Sequence, residues 1–120
     1  MPRTPKLPKI GLEMRRWCAL LEEELSSWPN VTARPMFGMI AFYRAKRIFA
    51  AVPRTRAART ETSLLIKLPG VRDKRLSGAG GPGAGWFTFE MESERDIRKA
   101  LDLLSRAYEK TAARAPSSSS

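Results

Sequence analysis

The sequence predicts an α+β fold: an antiparallel sheet of about four strands with two helices packed on one face. Three observations carry that prediction. Segments near the two ends of the chain place apolar residues three and four apart, the period of a helix with one buried face. Between them lie short runs of strand chemistry, Met36–Tyr43, Arg47–Val52, Ser63–Leu68 and Trp86–Met91. A short polar turn joins the first two runs as a hairpin. One sheet with both helices on the same side is then the economical way to bury both stripes.

Residues 1–9 hold three prolines and three bases with little core material, and read as a flexible basic arm. A single domain is expected over residues 10–113. Its first helix should run from about Gly11 to Ser27. Met14, Trp17, Cys18, Leu21, Leu25 and Trp28 form its buried stripe, and Leu12 and Leu20 widen it. Glu22, Glu23 and Glu24 lie mostly on the wet side, and Pro29 ends the helix.

The first strand is expected over Met36–Tyr43. Pro35 holds Arg34 extended, and Gly38 reads as a bulge or a point of close approach. Arg44-Ala45-Lys46 turns the chain into Arg47–Val52, which Pro53 closes. A basic loop over residues 54–62 leads to Ser63–Leu68, stopped by Pro69-Gly70. Residues 70–85 are too rich in glycine and proline to bury much surface, so a mobile loop is expected there. Trp86–Met91 alternates and makes the fourth strand. Ser93 is the expected N-cap of the last helix, with Asp96 three residues on as in a capping box. Ile97, Ala100, Leu101, Leu104 and Tyr108 form its stripe, and fraying is expected near Thr111–Arg114. Residues 114–120 read as a disordered serine tail.

The chain has 120 residues and a hydrophobic fraction of 42%, enough for one core. No apolar run approaches the roughly 18 residues of a membrane span. The basic N-terminus is not followed by an apolar signal core, so a cytoplasmic protein with no membrane partner is expected. The lone Cys18 leaves no internal disulfide.

The net charge is +10, and its placement is more informative than its size. Between Arg34 and Arg75 there are eleven bases against only Glu61 and Asp73, while Glu22–Glu24 make the first helix acidic. A basic region of this kind attracts phosphate backbones by releasing counterions. The competing reading is charge kept for solubility.

Catalytic patterns are weak. There is no histidine, which removes the usual base at neutral pH and most zinc sites. Cys18 sits on an apolar stripe and reads as a buried thiol rather than a nucleophile. Gly78-x-Gly80-x-x-Gly83 matches a dinucleotide fingerprint as a string, but Pro82 interrupts it and a strand follows where a helix is needed. Glu90 and Glu92 share a strand face without a base or a metal motif beside them. No enzyme, cofactor or metal site is expected. Arg54, Arg56 and Arg59 with Arg72, Lys74 and Arg75 form two basic loops, the candidates for nucleic-acid or anion contact. Trp86 and Phe87 point to opposite faces of one strand, so one leaves the core. If that one lies on the outer face beside Arg47 or Lys67, it would make a binding surface.

The run Arg34-Pro35-Met36-Phe37-Gly38, after a helix and before a hairpin to Ile48-Phe49 and a strand carrying Lys67, resembles the TfoX N-terminal domain family. The resemblance covers about residues 12–112. It implies an antiparallel sheet with helices packed on it, of the secretion-chaperone-like kind, in a small bacterial protein. It implies no catalytic residue, so the five signature residues are expected to be structural, and competence activation is not carried over. The expected role is a non-enzymatic binding or regulatory module. Its partner is a protein or nucleic acid, and a homodimer is open, since a small sheet leaves an edge to cover.

Overall fold

In the computed structural model, residues 8–78 and 85–113 are described. The expected arm residues 1–7, Ala79–Ala84 of the glycine-rich loop and the serine tail lie outside the described residues. The order is α1 (Leu12–Ser26), β1 (Val31–Met36), β2 (Met39–Arg44), β3 (Arg47–Pro53), β4 (Ser63–Lys67), β5 (Leu76–Gly78), β6 (Trp86–Glu90) and α2 (Asp96–Ala113). The strands make one open antiparallel sheet in the order β1-β2-β3-β4-β6-β5. The fold class is as expected, α+β with two helices, but the sheet has six strands rather than about four.

The first extra strand comes from the Met-Phe-Gly segment. Met36–Tyr43 is not one strand: the chain reverses at Phe37-Gly38, pairing Met36 with Met39. Both turn residues have positive φ, 50° and 81°, the backbone of a two-residue primed hairpin. Gly38 therefore makes a turn, not a bulge. β1 was hidden because it is wet and contains Pro35, both permitted on an edge strand. The second extra strand, β5, lies inside the expected mobile loop and pairs Leu76 with Phe89. Hydrogen bonding to β6 orders that part of the segment despite its composition.

The Arg44–Arg47 hairpin forms where expected, with positive φ at Ala45 and Lys46. The true bulge is one strand further on. Phe42 pairs with Ala50 and Tyr43 with Ile48, leaving Phe49 as the extra residue of β3.

One cluster forms the core. Met14, Cys18, Leu21 and Leu25 of α1 and Ala100, Leu103, Leu104, Ala107 and Tyr108 of α2 meet Ile40, Phe42, Phe49, Val52, Leu64, Ile66 and Phe89 of the sheet. The α1 stripe is narrower than expected: Leu12 is 82% and Leu20 48% exposed. A second knot closes the end of the molecule. Tyr108 meets Trp28 at a tilt and Phe49 edge-on, donates its hydroxyl to the Pro29 carbonyl at 2.8 Å, and lies 3.9 Å beneath the Arg44 guanidinium.

The capping of α2 also differs. The Ser93 side chain is not the cap; the Asp96 carboxylate reaches back and accepts the backbone N–H of Glu92 at 2.7 Å and of Ser93 at 3.2 Å. This is the return half of a capping box, made by the residue placed three after Ser93.

Candidate functional site

Most of the arginines expected to contact phosphate are occupied. The amides of Arg54, Thr55 and Arg56 all donate to the Gly38 carbonyl, at 3.0, 2.9 and 3.1 Å. Successive N–H groups in this arrangement form an anion-binding concavity, and here the Phe37-Gly38 turn fills it. The Gly38 carbonyl thus ties the β1–β2 turn to the basic loop. The Arg54 side chain pairs with Glu22 of α1 at 3.4 Å. The Arg56 backbone also forms an isolated antiparallel β-bridge with Lys9, and Ala57 N–H donates to the Pro8 carbonyl at 2.9 Å, so the last two residues of the expected arm are held against this loop.

Arg59 and Arg75, from different loops, converge on Glu90. Arg59 lies 3.4 Å from the Thr88 hydroxyl and near the Glu90 carboxylate. Arg75 donates to the Glu90 carbonyl at 2.8 Å and to Asp96 at 3.1 Å, and lies 4.6 Å over the Phe89 ring. The Glu90 carboxylate accepts the hydroxyls of Ser63, Thr60 and Thr62. Burial raises its pKa, but those hydroxyls outweigh burial and hold it below the usual value. The arrangement is a satisfied polar network fastening both loops to the sheet. Of the six predicted loop bases, Arg72 and Lys74 are exposed and make no ion pair with a described residue.

The other face of the sheet has different chemistry. Strand alternation puts Ile66 and Phe87 against the core, so their neighbours Lys67 and Trp86 project from the outer face. They are direct cross-strand partners. Register places Arg34, Ala41, Ala51, Leu65 and Thr88 in one outer row, with Tyr43 and Trp86 on the same side of it. Ala41 and Ala51 are fully buried, while Tyr43, Leu65, Lys67 and Trp86 are half-buried. Thr88 in the same row is buried too, with Arg59 of the β3–β4 loop reaching its hydroxyl, so the accessible part of this face is at Tyr43, Leu65, Lys67 and Trp86. Neither described helix packs on this face. The condition set by the sequence, an outward aromatic beside Lys67, is met.

No protein-family model, curated protein or solved structure matches this chain.

Beside Lys67 the sheet opens. β3 and β4 are paired only at Ala50–Ile66 and Ala51–Leu65. Past those pairs a cleft of about 150 Å³ lies between Arg47-Ile48 and Lys67/Pro69, with Ala107, Lys110 and Thr111 of α2 completing its wall. Sequence reasoning missed Lys110. Nothing in its local context marks it, because the cleft exists only where two strands separate over a helix end. A wider groove of about 400 Å³ runs between the start of α1 and residues 61–62 and 91–92, with Glu13, Glu61, Glu92 and Trp17 on its walls. Among the described residues no three His, Cys, Asp or Glu side chains gather as metal ligands, and no helix is long and apolar enough to cross a membrane.

Proposed function

We propose that this protein is a small binding module without enzymatic chemistry, and that its ligand is single-stranded nucleic acid lying on the sheet face opposite the helices, at its accessible end around Tyr43, Lys67 and Trp86. The observation that carries the reading is the cross-strand pair of Lys67 and Trp86 on that face. An aromatic plane stacks on any base, and a lysine beside it meets the backbone charge. Arg34 and Tyr43 extend the same chemistry across the sheet, and the +10 charge supplies long-range attraction. The loop arginines Arg54, Arg59 and Arg75 are given a structural role instead, which moves the interface from the loops to the sheet.

Membership of the TfoX N-terminal domain family, with its secretion-chaperone-like fold, belongs to this proposal. Its support is the order of helix, Met-Phe-Gly turn, hairpin and lysine-bearing strand. A protein-binding role is the second reading, favoured by Phe37, which is 82% exposed at a hairpin tip.

Fluorescence anisotropy with single-stranded RNA and with random duplex DNA, from low to physiological salt, tests the proposal. Tighter binding of the single strand, with quenching of tryptophan emission that is lost in Trp86→Phe, is the expected result. Absence of binding at low salt would sink it and turn the search to protein partners.

A further inference from the structure

The geometry points to a phosphate site in the cleft between the diverging ends of β3 and β4, taking the terminal phosphomonoester of a nucleic-acid strand. The inference rests on the sheet-face reading above and specifies which part of the strand is held at its end.

Three cations line the cleft, Arg47 from β3, Lys67 from β4 and Lys110 from α2, and among the described residues no acid does. None of the three makes an ion pair with a described residue. Elsewhere the bases Arg54, Arg75, Lys99 and Arg106 each have a carboxylate partner. Like charges gathered round one small space repel, and an anion between them relieves that repulsion. The cleft lies near the last turns of α2, whose carbonyl end carries roughly half a negative charge, too little to neutralise three cations.

Size and charge narrow the ligand. At about 150 Å³ the cleft is below the roughly 300 Å³ at which small-molecule pockets begin, so it takes a group rather than a whole cofactor. A phosphomonoester carries about −1.5 to −2 near neutral pH, against one charge for each diester of a strand interior. An arginine fork with two lysine point charges matches the more highly charged group. Lys67 links the two surfaces: it lines the cleft and stands opposite Trp86. A terminal base stacked on Trp86 would put its own phosphate at the cleft mouth.

The test compares short single-stranded RNAs of one sequence with a 5′-phosphate, a 3′-phosphate or hydroxyls at both ends, against wild type and Lys110→Gln. Lys110 is a cleft residue outside the sheet face, and the unfolding midpoint of the variant checks its fold. One phosphorylated end should bind about tenfold tighter than the hydroxyl strand, the gain expected of a charge-assisted contact. Lys110→Gln should remove that gain and leave hydroxyl-strand binding unchanged. Equal binding of all three strands would overturn the phosphate site and leave the sheet-face reading standing. A gain that survives in both Lys110→Gln and Arg47→Gln would also overturn it. If no strand binds, the sheet-face reading has failed, and calorimetry with inorganic phosphate decides the cleft. Heat seen in wild type and absent in Lys110→Gln would uphold the site with free phosphate as its source; no heat would overturn it as well.

Discussion

The carbonyl of Gly38 accepts the backbone N–H of Arg56 at 3.1 Å, and the side chain of Arg56 fills the space beside the Gly38 α-carbon. A Cβ at Gly38 would stand 3.0 Å from Arg56 Cβ, Arg56 Cγ and Thr55 Oγ1, on a backbone with φ of 81°. Gly38→Ala should therefore lose about 1–2 kcal/mol from left-handed strain alone, with crowding adding to it. Phe37, at φ 50° and 82% exposed, has the opposite prospect. Asparagine tolerates that conformation, so Phe37→Asn should gain about 0.5–1 kcal/mol. Urea unfolding of both variants checks the pair; a neutral Gly38→Ala would mean that the turn relaxes.

Arg75 holds the crossover from β4 to β5 in place. It ties that segment to α2 through Asp96 and to β6 through the Glu90 carbonyl. Arg75→Ala removes both and leaves a part-buried acceptor without its donor. A loss of about 1–3 kcal/mol is expected, read as a lower urea midpoint. Nucleic-acid affinity of the folded fraction should not change. A normal midpoint with weakened binding would return Arg75 to the interface.

Acid should destabilise the protein from the carboxylate side. The Arg75 guanidinium holds the Asp96 carboxyl below its ordinary value, and the Arg75 backbone N–H with the Lys99 ammonium does the same for Asp73. A carboxyl depressed in the folded state binds protons more readily when unfolded. Its stabilisation is present above the unfolded value of about 3.9 and disappears as pH falls through the folded value. Urea midpoints should be flat from about pH 7 to 5 and fall below about pH 4. In Asp96→Asn the fall should be smaller. An equally steep fall in that variant would assign it to other carboxylates.

Binding should depend on the sheet face rather than the loops. Loss of one stacked base is worth about 1–3 kcal/mol, so Trp86→Ala should weaken single-stranded RNA binding by roughly 5- to 150-fold. Lys67→Ala should lower the salt slope by about 0.7 for its one phosphate contact. Arg72→Ala with Lys74→Ala, both exposed loop bases, should have the smaller effect. The reverse order would restore the loops as the site.

Cys18 should be inert in the native protein. Burial, with Glu22 adding to it, pushes its thiol up to about 12, so almost no thiolate exists at neutral pH. Thiol titration should show no reaction until denaturant is added. Rapid native labelling would mean that α1 opens readily.

The periodic parts of the fold were legible in the sequence. Met14, Cys18, Leu21 and Leu25 announce α1, and Ala100, Leu104 and Tyr108 announce α2, because helical spacing is written in consecutive residues. The strands Arg47–Pro53, Ser63–Lys67 and Trp86–Glu90 were equally visible. The edge strand β1 was not, since it is wet and carries a proline. The strand β5 was not, because its order comes from hydrogen bonds to β6, distant in sequence.

The candidate site divides along the same line. Residue types and order determined that the chain is basic, lacks histidine, and sends one of Trp86 and Phe87 away from the core. Only the tertiary structure decided which one, because that depends on the face chosen by both helices. Only it showed that Arg54, Arg59 and Arg75 are engaged with partners, while Arg47, Lys67 and Lys110 make no ion pair with a described residue. A charge is written in the sequence, but its partner is set by register and by where two strands part, and those arise only when distant segments pack together.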